Sequence, residues 1–142
     1  MTCERLLETT ASRIGRMALR AHHSTMPRTV LVIDDHARFR KTARRMLESE
    51  GFEVVGEAAD AAAGLQAARM LEPDIVLVDI YLPDSNGFDL TSHLTALDSP
   101  PLVVLTSSRG REELGSAVEL SSARGFVPKH ELSGEALEEL LE

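Results

Sequence analysis

Tryptophan is absent from the 142-residue sequence, cysteine occurs once, and no apolar run approaches the length needed to cross a bilayer. With Cys3 alone there can be no intramolecular disulfide framework and no cysteine-rich zinc site, so a reducing, cytoplasmic setting is the easiest to reconcile with the composition. The start also lacks the sustained apolar stretch of a secretory signal. No glycine-rich loop follows the first apolar run, which argues against a classical nucleotide-binding protein. Aromatic residues are scarce at 4%, so a core has to be assembled mainly from Leu, Val, Ile, Ala and a few Phe. Positive charge is in deficit: the formal net charge is -8, which disfavours broad attraction to nucleic acid or to an anionic membrane. Neither direct nucleic acid binding nor membrane insertion is expected.

What remains is enough for one compact domain with a sizeable core. Charge is uneven along it. Residues 1–26 carry Arg5, Arg13, Arg16 and Arg20 against Glu4 and Glu8, which makes the rest of the chain more acidic than the total. Residues 4–20 admit a helix with a loose apolar stripe of Leu6, Leu7, Ile14 and Met17, and the run from His22 to Pro27 interrupts it. We read 1–26 as an N-terminal extension, either helical and suited to dimerising or partner binding, or disordered, and 27–142 as the domain proper.

From Thr29 onward short branched runs alternate with longer helix-compatible segments. Strands are expected at Val30–Ile33, Glu53–Glu57, Ile75–Asp79, Leu102–Thr106 and Gly125–Val127, each bounded by polar residues, glycine or proline. Phe39, Thr42, Ala43, Met46 and Leu47 follow helical spacing after the first strand, and Arg38, Arg40, Lys41, Arg44 and Arg45 take much of the opposite surface. Gly51 can end that helix. Further helices are expected over Ala61–Leu71, Phe88–Leu97, Glu112–Ser122 and Glu135–Leu140, the last capped by Ser133. Alternating strands and helices favour an α/β fold, a five-stranded parallel sheet with helices on both faces, for which the order 2-1-3-4-5 is a common solution.

In such a sheet the carboxyl ends of the strands open into one crevice. Asp34, Asp35, Asp79, Thr106 and Lys129 all fall there. Each residue alone has an ordinary explanation: a helix cap, a strand end, a solvent-facing charge. Together they suggest a site. Neighbouring carboxylates repel one another and call for protonation, ion pairing or a cation, and an all-oxygen donor set suits magnesium best. A hydroxyl and an ammonium beside them could contact phosphate oxygens.

The pieces VLVIDD at 30–35, DIVLVDIYLPDSNGFDL at 74–90, VVLTS at 103–107 and GFVPK at 125–129 resemble the receiver domain of bacterial two-component response regulators, over about Arg28 to Glu142. The resemblance implies that Asp79 is the phosphoacceptor and Asp35 a direct Mg2+ ligand, with Asp34 acting through water or positioning the ion and the Tyr81 carbonyl supplying another ligand. It further implies that Thr106 and Lys129 bind the phosphoryl group and that Thr106 and Phe126 form a switch, with Ser107 nearby. The donor would be a sensor histidine kinase or a histidine phosphotransfer protein, and the readout a downstream protein partner or a homodimer. Phosphotransfer and autodephosphorylation would be self-catalysed rather than the work of a conventional turnover enzyme.

One departure from the family is that His130, not proline, follows Lys129, so the cis Lys-Pro geometry of many receivers is unavailable. Two other readings compete. A haloacid-dehalogenase-type phosphatase would separate its first-strand acids by one residue, whereas Asp34 and Asp35 are adjacent. A receiver-like interaction module that works without phosphorylation would keep the acidic pocket and lose the acceptor chemistry.

Overall fold

The computed structural model describes residues 26–110, 114 and 116–141. The helix expected over residues 4–20 lies outside them. Strands β1 (Thr29–Ile33), β2 (Glu53–Ala58), β3 (Ile75–Asp79), β4 (Leu102–Ser107) and β5 (Gly125–Pro128) alternate with helices α1 (Ala37–Ser49), α2 (Ala61–Leu71), α3 (Gly87–Thr95), α4 (Ala117–Leu120) and α5 (Gly134–Leu141). The five strands form one parallel sheet in the order β2-β1-β3-β4-β5.

Side-chain alternation divides the core between the two faces of this sheet. Leu31, Ile33, Val76, Val78, Val103, Leu105 and Phe126 face one way, against Ala61 and Ala68 of α2, Leu90 and Leu94 of α3 and Val118 of α4. Val30, Val32, Ile75, Leu77, Val104 and Val127 face the other, against Leu47 of α1 and Leu137 of α5. Each buried Leu or Ile contributes about 1.5–3 kcal/mol over an exposed one, so the central strands β1 and β3 are held in register by their apolar cover. That register carries the acids at their ends to one edge.

The helix boundaries have local causes. α1 stops where Gly51 adopts φ +96°, a conformation that glycine takes without steric penalty. Asp60 caps α2 by accepting from the Ala63 N–H at 2.8 Å, and Asn86 caps α3 by accepting from the Asp89 N–H at 2.9 Å. The Ser133 hydroxyl accepts from the Ala136 N–H at 3.0 Å and serves α5 in the same way. α3 begins one residue earlier than the periodicity suggests and stops at Thr95, where the Thr91 and Thr95 hydroxyls donate back to the carbonyls four residues before them. The fourth helix departs most from expectation. Residues 112, 113 and 115 of the expected span Glu112–Ser122 lie outside the described ones, and among the described residues the α-helix is Ala117–Leu120. Ser121 terminates it in an extended conformation.

Candidate functional site

The backbone ladder sets the site. Asp79 is the last residue of β3 and pairs with Thr106 on β4, while Asp34 follows the final residue of β1 and Lys129 the final residue of β5. Buried strands thus deliver four polar groups to one edge. Asp34 is 0% and Asp79 3% exposed, whereas the Asp35 side chain is 38% exposed. Lys129 Nζ lies 2.6 Å from Asp34 Oδ2 and 3.4 Å from Asp79 Oδ2. Its ammonium also sits 4.5 Å from the centre of the Phe39 ring on α1, a cation–π contact that limits where the lysine can point. The Tyr81 N–H donates to Asp79 Oδ1 at 3.3 Å.

Burial is the main influence on Asp79, and together with the nearby Asp34 charge it raises the carboxyl pKa; Lys129 and the Tyr81 N–H oppose the rise without cancelling it. A raised folded-state pKa stabilises the fold below the unfolded value of about 3.9, and that contribution is lost as pH rises through the folded value. In magnesium-free buffer at neutral pH, Asp79→Asn is therefore expected to gain on the order of 1 kcal/mol, or about 4 °C in Tm. Lys129 keeps Asp34 as its partner in this variant. Thermal melts across pH check the sign: the advantage should shrink toward zero in acid, and an advantage that grows in acid would contradict it.

Thr106 is buried and its hydroxyl makes a long hydrogen bond to the Val78 carbonyl at 3.5 Å. Phe126 is 2% exposed and packs in the apolar layer beneath α2, α3 and α4, so in this structure it occupies an inward position. The Ser107 hydroxyl accepts from the Arg109 N–H at 3.0 Å, and the Arg109 guanidinium stacks 4.8 Å from the Tyr81 ring centre.

Two features go beyond what spacing along the chain shows. His36 Nδ1 lies 3.1 Å from Asp34 Oδ1 and 3.2 Å from Asp35 Oδ1, and the His36 N–H donates to Asp34 Oδ1 at 2.8 Å. Its place immediately after the acids was the available signal. The second concerns the basic face of α1, which is smaller than the sequence suggests. Arg40 Nε and Arg44 Nε both bind Glu57 of β2, at 3.1 and 2.8 Å, and Arg40 Nη1 donates to the Asp34 carbonyl at 2.6 Å. The Arg44 hydrogen bond, with help from Arg40 and against the effect of burial, holds the Glu57 carboxyl below its usual range. Only Arg38, Lys41 and Arg45 of the five are exposed.

A cation fits this donor set. Asp34, Asp35, His36 and Asp79 can each offer one ligand atom within 4.8 Å of the others. Despite the nearby lysine, Asp34 Oδ2 is a buried oxygen without a hydrogen bond, because Lys129 lies close but not along a hydrogen-bonding direction. A buried carboxylate oxygen with spare acceptor capacity is suited to a hard cation. The imidazole nitrogen suits magnesium less well than the oxygens do.

The comparisons agree with this geometry. The family model for the response regulator receiver domain matches residues 30–142, and the chain belongs to that family. The transcriptional regulatory protein PdtaR of Mycobacterium tuberculosis is 36% identical over 89 residues, covering 63% of this chain and 43% of that protein. Protein-glutamate methylesterase/protein-glutamine glutaminase 6 of Anaeromyxobacter dehalogenans is 42% identical over 116 residues, covering 80% of this chain and 33% of that protein. The chain thus spans less than half the length of these two relatives. Among solved structures, a LuxR-family two-component response regulator from Aurantimonas sp. SI85-9A1 superposes with a TM-score of 0.73 at 29% identity, covering 81% of this chain and 85% of that one. A chain of the CheX–CheY–BeF3–Mg2+ complex from Borrelia burgdorferi gives 0.70 at 26%, covering 83% and 89%. Family and acidic cluster together support a phosphorylation-based switch. Among the described residues, no helix is long and apolar enough to cross a membrane.

Proposed function

We propose that Asp79 accepts a phosphoryl group from a phosphohistidine on a sensor histidine kinase or histidine phosphotransfer protein, and that the chain works as a cytoplasmic signalling switch. The observation that carries this reading is Asp79 itself: a 3% exposed carboxylate at the end of a fully buried strand, with Lys129 Nζ 3.4 Å from one oxygen. An Asp79 oxygen attacks phosphorus, the new P–O bond forms as the P–N bond to the donor histidine breaks, and the electron pair leaves on the imidazole. Water later cleaves the acyl phosphate and resets the site. Catalysis of this kind rests on positioning and charge stabilisation.

Asp34, Asp35 and Asp79 with the Tyr81 carbonyl would hold Mg2+. When bound, the ion supplies neutralisation of negative charge on the phosphoryl oxygens. BeF3 is a phosphoryl mimic, and the relative from Borrelia burgdorferi that resembles this chain comes from a complex with both BeF3 and Mg2+. Lys129 releases part of its contact with Asp34 to meet the phosphoryl oxygens, its ammonium remaining over the Phe39 ring. Thr106, facing Asp79 across the ladder, donates its hydroxyl to the same group, and Phe126, paired through Leu105 on the neighbouring strand, reads that movement out to a downstream protein partner or a second copy of the chain.

The test is phosphate incorporation from acetyl phosphate, read by intact mass with magnesium and again with excess chelator. One adduct with magnesium and none with chelator is the expected result. Folded protein that takes no phosphoryl group from acetyl phosphate or from a phosphohistidine protein would leave an interaction module that works without phosphorylation.

A further inference from the structure

The loop between β3 and α3 carries Tyr81, and it is fastened to its own strand and helix at both ends. The Gly87 N–H donates to the Ile80 carbonyl at 2.7 Å, Tyr81 and Asn86 form an isolated antiparallel bridge, and Asn86 caps α3. The tip, Pro83–Asp84–Ser85, is exposed and has no apolar cover of its own. Leu82 just before it is buried in the core, and the tip itself is held from outside. Asp84 Oδ1 accepts from the Ala61 N–H at 2.8 Å and Asp84 Oδ2 from the Ala62 N–H at 3.0 Å, so both carboxylate oxygens bind the first turn of α2.

α2 does not need this carboxylate to begin, because Asp60 already caps it at the Ala63 N–H. Two acids therefore serve one helix start: Asp60 from within the same segment, Asp84 from a loop 23 residues away in sequence. The helix dipole and two unpaired N–H groups make the attachment favourable. Its consequence falls on the loop. With the tip tied to α2, the segment from Tyr81 to Asn86 is fixed at the tip as well as at both ends.

We propose that Asp84 is a positioning residue for the cation site, tying the loop tip to α2 so that Tyr81 is held beside Asp79 before the ion arrives. The inference rests on the magnesium reading above. A residue that orients a ligand without touching the metal costs about tenfold or more in affinity when removed. Asp84→Ala should accordingly bind Mg2+ about tenfold more weakly than the native chain. Asp84→Asn keeps one acceptor oxygen, and so one of the two N–H contacts, and it should fall between the native chain and the alanine variant. Asp60→Ala, which removes a cap from the same helix without releasing the loop, should bind as the native chain does.

Magnesium titrations of the four proteins, followed through the backbone amide shifts of Asp34, Asp79 and Tyr81, decide the matter without recourse to phosphorylation. The proposal is overturned if Asp84→Ala binds like the native chain. It is also overturned if Asp60→Ala weakens binding equally, which would mark a general effect of helix capping, or if Asp84→Asn is as weak as the alanine variant, which would mark a charge effect. A native chain whose amides do not respond to magnesium at all removes the cation reading itself and this inference with it, an outcome distinct from the other three.

Discussion

Asp79→Asn is expected to take up no phosphoryl group from acetyl phosphate in magnesium, while the native chain gains one. The asparagine side chain keeps the shape and the Tyr81 N–H contact, but its amide is a poor nucleophile and carries no negative charge to attract a cation. Loss of a reacting group typically removes at least about a thousandfold of rate, which places any residual adduct below detection by intact mass. The apo variant should be at least as stable as the native chain for the reason given by the raised Asp79 pKa, so loss of the adduct cannot be assigned to unfolding. An adduct that persists in Asp79→Asn would move the acceptor to another residue, with Asp34 and Asp35 the first to examine.

Gly87→Ala is expected to have the largest structural effect of any single methyl addition near the site. A Cβ at this position would stand 2.8 Å from Ile80 Cα and 2.9 Å from the Asp79 carbonyl oxygen. Both are backbone atoms, so no side-chain rotation relieves the clash; β3 and the start of α3 would have to part. Overpacking of this kind costs about 3 kcal/mol, or roughly 12 °C in Tm. The displacement is centred on the residue that ends β3, so phosphoryl uptake should fall with stability. Gly51→Ala is the useful comparison. Nothing lies within 4 Å of its Cβ position, and only its φ of +96° opposes the substitution. It should cost about 1 kcal/mol and leave phosphoryl uptake intact. Thermal melts together with intact mass on both variants check the pair, and equal loss of uptake in the two would contradict a local effect at Gly87.

Much of this architecture was legible because its signals are local. β3 runs Ile75–Asp79 and α2 runs Ala61–Leu71 in the structure, the bounds that apolar continuity, helical spacing and flanking breakers suggest in the sequence. The fourth helix was the exception. Within Glu112–Ser122, Leu114 and Val118 reach the core while Leu120 is 83% exposed, and among the described residues the α-helix covers Ala117–Leu120. Composition alone does not say how far such a sparsely anchored helix extends. The basic face of α1 was misjudged for a related reason. Spacing along a helix says which residues share a side, and nothing in it says that Glu57 on another strand engages two of them.

The sequence by itself determined the alternation of five strands with helices and the placing of Asp34, Asp35, Asp79, Thr106 and Lys129 at strand ends, because strand ends follow from patterns a few residues long. Tertiary structure alone decided how those groups divide their work. It buried Asp34 and left Asp35 partly open, set Lys129 closer to Asp34 than to Asp79, brought Phe39 against that lysine, and tied Asp84 to α2. Each of these depends on distances between segments far apart in the chain, which packing settles and local pattern does not record.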